Sequence, residues 1–92
     1  MQVHFYATLR AAVGTKTVEF DVPAGASVRI LIDAVIARYP QMRDELLDAD
    51  GELFRHVHVF VNGRDTYYLD DNMEHILSPD DTIDVFPPVA GG

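Results

Sequence analysis

The chain has 92 residues, of which 48% are hydrophobic and 24% charged, with a formal net charge of -8 and no cysteine. This length and apolar content suit one domain with a single core and argue against general disorder. The missing cysteine excludes disulfides, thiolate metal sites and cysteine nucleophiles. With 7 Lys plus Arg against 15 Asp plus Glu, there is too little positive charge to neutralise nucleic-acid phosphates, so a basic protein surface is the complementary partner. No apolar run approaches the ~20 residues of a membrane helix. The first residues lack the basic segment and apolar stretch of a secretory signal, so the expectation is a cytoplasmic protein with no membrane partner.

Val3, Phe5 and Ala7 alternate with His4, Tyr6 and Thr8, and Val18, Phe20 and Val22 alternate with Thr17, Glu19 and Asp21. This period of two predicts a β-hairpin whose short connection contains Gly14. Pro23-Ala24-Gly25 breaks the second strand, and Ser27 can accept an orphan backbone N–H at a helix start. Val28, Leu31, Ile32, Val35, Ile36 and Tyr39 then fall at spacings of three and four, the apolar stripe of a helix. Pro40 ends it, because the residue before a proline is pushed out of the α region. Residues 41–55 are the least regular part. Leu46 and Leu47 can seat a short helical turn, and Asp48-Ala49-Asp50-Gly51 has turn chemistry.

Val57, Val59 and Val61 mark the next strand, closed by Asn62-Gly63, a pair that tolerates positive φ. Arg64 to Leu69 should return as a short strand, Ser78-Pro79-Asp80-Asp81 should turn, and Thr82 to Phe86 reads as the last strand. The order β-β-α-β-β-β, with one long helix across a mixed sheet, places the chain in the α+β class. Residues 1–86 form the domain, and 87–92 are expected to be an extended, flexible tail ending in Gly-Gly.

That tail is the candidate functional element. Pro87 and Pro88 fix φ and lack N–H donors, so they should end sheet pairing and hold Val89, Ala90, Gly91 and Gly92 away from the body. Six residues at ~3.3 Å each span roughly 20 Å, comparable to the depth of an enzyme cleft. Gly91 and Gly92 carry no Cβ and can thread a narrow channel. The terminal carboxylate is ionised at neutral pH and is a poor electrophile until activated. Adenylation would activate it, yet the chain contains no Gly-x-x-x-x-Gly-Lys-Ser/Thr loop to bind ATP. It should therefore bind no cofactor and be the substrate of an ATP-using enzyme, not a catalyst. A frayed end would also be rich in small residues; the proline pair and the lack of charge after Asp84 favour a working tail.

Other constellations are weaker. His56 and His58, two apart on a strand, would share a face, but no third ligand is fixed and no metal site is expected. The acidic groups Asp48, Asp50 and Glu52, and Asp80, Asp81 and Asp84, lack calcium-loop spacing and read as turn and solvation residues. Phe60, with Tyr67 and Tyr68, could present an aromatic docking patch beside the tail.

The ending Phe86-Pro87-Pro88-Val89-Ala90-Gly91-Gly92 and the opening Phe5-Tyr6-Ala7-Thr8-Leu9-Arg10 with Gly14 resemble the MoaD/ThiS group of ubiquitin-like sulfur carriers. Val59 to Gly63 and Asp80-Asp81 extend the likeness over nearly the whole chain. The resemblance implies a β-grasp fold, adenylation of Gly92 by a ubiquitin-activating-type enzyme, and conversion to a thiocarboxylate by a sulfur donor. Delivery of that sulfur would follow inside a partner into which the tail is inserted, with residues 86 to 91 contacting it. In the MoaD branch the receiver is the large subunit of molybdopterin synthase, so molybdopterin biosynthesis is the first destination implied. The longer segment from Asp48 to Arg55 is instead similar to small archaeal modifier proteins and to a carrier in a thiocarboxylate route to cysteine. Conjugation of Gly92 to protein lysines, tRNA thiolation and cysteine synthesis therefore stay open, as does an interaction module with an inert tail.

Overall fold

The computed structural model describes residues 1–87. Five strands, β1 (Gln2–Phe5), β2 (Thr17–Glu19), β3 (His58–Val61), β4 (Arg64–Asp65) and β5 (Thr82–Phe86), form one sheet in the order β2-β1-β5-β3-β4. β1 and β5 run parallel and the other neighbours are antiparallel. The two parallel strands lie at the centre, where Val3, Phe5, Ile83 and Val85 are all fully buried. Against this face packs α2 (Val28–Arg38), giving the α+β class and the β-grasp arrangement of a mixed sheet holding one main helix.

The helix forms where the apolar stripe places it. The Ser27 hydroxyl accepts the Ile30 N–H at 3.2 Å, and Val28, Leu31, Ile32 and Val35 face the sheet. Each such side chain contributes about 1.5–3 kcal/mol on full burial. The Tyr39 N–H closes the last turn on the Val35 carbonyl, after which Pro40 opens a 3-10 turn leading into α3 (Arg43–Leu46). Met42 and Leu46, both fully buried, seat that segment; of the expected pair, Leu46 does so, while Leu47 follows the helix in extended backbone and is half-buried. Beyond it, the Asp48 carboxylate accepts the N–H groups of Asp50 and Glu52, and Leu47 bridges to Leu53.

The first departure from the sequence reading lies between β1 and β2. The two strands do pair as antiparallel neighbours, but they are joined by a helix, α1 (Ala7–Val13), in place of a short turn. The alternation ends at Phe5, since Ala7 has φ 53° and turns the chain off the sheet. The run Ala7 to Val13 is dominated by Ala, Leu and Arg, which lose little on entering a helix. Gly14, at φ 86°, is the left-handed residue that ends it, donating its N–H to the Arg10 carbonyl.

The second departure follows the β3–β4 hairpin, whose Asn62-Gly63 turn has positive φ at both residues as the dipeptide demands. The return strand stops at Asp65 and does not reach Leu69. The Asp65 side chain accepts the Tyr67 N–H at 3.0 Å, a local bond that competes with the sheet ladder and starts a 3-10 turn over Thr66–Tyr68.

Candidate docking face and tail base

Because side chains alternate along a strand, residues that are not part of the core on β1, β3 and β5 project from the face opposite α2. Pairing aligns His58 with Phe86, and Phe60 with Asp84, which in turn aligns with His4. The Tyr6 ring, at the end of β1, stacks on Phe86 with centroids 4.2 Å apart and planes 11° from parallel. Phe60 meets Phe86 edge-on at 5.3 Å, His58 lies 6.3 Å from Phe60, and Tyr67 meets His58 edge-on at 5.6 Å. An aromatic row thus runs Tyr6, Phe86, Phe60, His58, Tyr67 across the side of the sheet opposite α2.

Polar bonds hold the row in register. The Tyr6 hydroxyl donates to Asp84 Oδ1 at 2.9 Å, and Lys16 Nζ lies 5.1 Å from the Tyr6 ring centre. That bond to Asp84, then burial, then the charge of Asp84 raise the Tyr6 pKa above its ordinary 10.0. His58 Nδ1 pairs with Asp65 Oδ2 at 2.7 Å. At the far end the Tyr67 hydroxyl lies 3.2, 2.9 and 3.3 Å from the carbonyls of Phe54, Arg55 and Val57. Burial, and secondly the charge of Asp65, raise its pKa as well.

Of the residues expected to meet a partner, Phe86 and Phe60 are therefore in contact at the centre of this row. Pro87 follows Phe86 and is buried against the body. Pro88, Val89, Ala90, Gly91 and Gly92, whose carboxylate is the expected reactive group, lie outside the described residues. Tyr68 is 84% exposed and makes none of these ring contacts. His56 sits in the turn before β3, not on the strand, so it does not share a strand face with His58. Among the described residues no cluster of three His, Asp or Glu side chains could hold a metal ion. The sequence reading had not assigned Tyr6, Asp84, Lys16 or His58 to the docking surface. Tyr6 was readable, because it shares the alternation of His4 and opposes that of Val3 and Phe5.

A β-grasp sheet with one aromatic face, leading through a proline into a Gly-Gly end, defines a ubiquitin-like carrier or modifier protein. The ThiS family model matches residues 3–92, and the chain belongs to that family. It is 38% identical to small archaeal modifier protein 3 of Haloferax volcanii over all of this chain and 98% of the relative. The crystal structure of SAMP1 from Haloferax volcanii superposes with a TM-score of 0.87 at 30% identity, covering 99% of this chain and 97% of that one. A structure described as molybdopterin converting factor subunit 1 from Pyrococcus furiosus does so with a TM-score of 0.76 at 30% identity, covering 96% and 95%. Such relatives are carriers and modifiers, not catalysts. No helix among the described residues is long and apolar enough to cross a membrane.

Proposed function

We propose that this chain is a carrier whose C-terminal Gly92 carboxylate is adenylated by a ubiquitin-activating-type enzyme and converted to a thiocarboxylate. The single observation that supports the reading is the aromatic row centred on Phe86, the residue directly before the Pro-Pro run that leads to Gly-Gly, which we take as the partner's docking surface. In the first step a carboxylate oxygen attacks the α-phosphorus of ATP and pyrophosphate leaves. Sulfide supplied by a donor then attacks the acyl carbon, a C–S bond forms, and AMP leaves with the mixed-anhydride oxygen. ATP is held by the partner throughout, and the chain itself needs no cofactor. A cytoplasmic site follows from that dependence on ATP and on the activating enzyme.

The same acyl-adenylate accepts an amine. Attack by a lysine Nζ gives an isopeptide bond, AMP leaves, and the amine proton passes to solvent. Likeness to small archaeal modifier protein 3 supports this second outcome, and likeness to a molybdopterin converting factor subunit supports delivery of the sulfur to a molybdopterin synthase-type large subunit. ATP–pyrophosphate exchange with the activating enzyme from the same source tests the shared first step. Exchange that depends on Gly92 is expected. Equal exchange after removal of Gly91 and Gly92 would move the function off the terminus, and recovery of covalent conjugates from cells would separate modifier from carrier.

A further inference from the structure

An open groove of about 420 Å³ lies at the tail base, with Pro87 as one wall. Thr8 of α1, Asp44 and Glu45 of α3, and the segment Phe54-Arg55-His56 complete it. Its size falls within the ~300–1,000 Å³ of ligand clefts. Its open mouth suits a protruding side chain better than an enclosed small molecule. Phe54 is a large apolar residue left 37% exposed here, although its backbone is firmly placed. Its N–H donates to the Leu46 carbonyl at 2.9 Å, its carbonyl accepts the Val57 N–H at 3.0 Å, and the Tyr67 hydroxyl reaches the same carbonyl. The wall is therefore held by its own hydrogen bonds, with the apolar ring presented to the groove.

We propose that this groove receives an apolar side chain, flanked by a basic residue, from the enzyme that activates Gly92. The inference rests on the function proposed above and adds to it a second contact surface. Residues 88–92 follow Pro87 in the sequence, so the groove adjoins the start of the segment that the enzyme must engage. The groove is also continuous with the aromatic row at two points. Pro87 adjoins Phe86, and Tyr67 touches His58 with its ring and the Phe54 and Arg55 carbonyls with its hydroxyl. Two carboxylates, Asp44 and Glu45, against one guanidinium, Arg55, leave the lining net acidic on a chain of net charge -8, which favours a basic neighbour for the incoming side chain.

The test is the KM and kcat of the activating enzyme in ATP–pyrophosphate exchange, with wild type, Thr8→Trp, Phe54→Ala and the double change Asp44→Lys with Glu45→Lys. Thr8 is exposed, so Thr8→Trp fills the groove without touching the core. Each variant should raise KM by about tenfold with kcat within twofold of wild type, as for loss of a well-packed interface contact. The charge-reversed variant should also lose the salt dependence of KM. If Thr8→Trp and Phe54→Ala both keep the wild-type KM while wild type is activated normally, the groove proposal is overturned and the function stands. Absence of exchange with wild type overturns both.

Discussion

Tyr6 and Phe86 are 80 positions apart in the chain, yet their rings stack at 4.2 Å, while the Tyr6 hydroxyl bonds Asp84 two residues before Phe86. The parallel pairing of β1 with β5 makes this contact possible, because it carries the start of the chain alongside the last strand. The residue that leads into the tail is thereby fixed by the residue that follows the first strand.

Phe86→Ala should remove the centre of the proposed docking row, leaving Tyr6 and Phe60 without their shared neighbour. Buried aromatic anchors at interfaces cost about 2 kcal/mol or more on truncation, which corresponds to roughly 30-fold in KM for the activating enzyme. Tyr6→Phe keeps the stack and loses only the bond to Asp84, so its effect should stay near a few-fold. Exchange kinetics on the two variants check the order. Equal effects would show that the ring contact has no special part in docking.

Tyr67→Phe should loosen the segment from Phe54 to Val57, because the single hydroxyl proton there lies within reach of three carbonyls that have converged on it. A net loss of about 1 kcal/mol is expected in urea unfolding. Amide exchange should speed up at Val57, whose N–H bonds the Phe54 carbonyl, and stay unchanged in α2. Uniform acceleration over the whole chain would place Tyr67 in the global core instead.

Ala7→Val should destabilise the fold by about 1–3 kcal/mol, since a β-branched residue at φ 53° is more strained than alanine. Ala7 is exposed, so lost packing cannot account for the change. A thermal midpoint equal to wild type would contradict the positive φ that turns the chain from β1 into α1.

Alkaline pH should weaken the fold through Tyr6 and Tyr67. Both pKa values are raised above 10.0, so the native state holds these protons more tightly than the unfolded chain. The resulting stabilisation is complete below pH 10.0 and is lost as pH rises through the folded values. Phenolate absorbance of the native protein should therefore lag that of the urea-unfolded chain, and the urea midpoint should fall over the same range. Coincident titration curves would refute the hydrogen-bonded and buried settings of these hydroxyls.

How much of this was legible in the sequence follows from the range of each interaction. Ser27, the stripe from Val28 to Val35 and Pro40 are local signals, and α2 lies where they put it. Asn62-Gly63 and the alternation of Thr82 to Phe86 are equally local and equally accurate. Helix α1 was hidden because Ala7 and Thr8 happen to continue the alternation of Val3 and Phe5; the stronger clue was an Ala-rich run closed by Gly14. The early end of β4 depends on the Asp65 carboxylate bonding the Tyr67 N–H, a choice that alternation does not reveal. Phe60 and Phe86 could be nominated singly from the sequence. Their meeting with Tyr6 could not, since it depends on strand order across the sheet.

The most direct measurement is the intact mass of the chain after incubation with ATP, the activating enzyme and a sulfide donor, with fragmentation to locate any change. The expected result is a gain equal to the exchange of one oxygen for one sulfur, confined to Gly92 and absent without ATP. An unchanged mass under conditions where the enzyme activates another carrier would contradict the assignment of function to the Gly92 carboxylate.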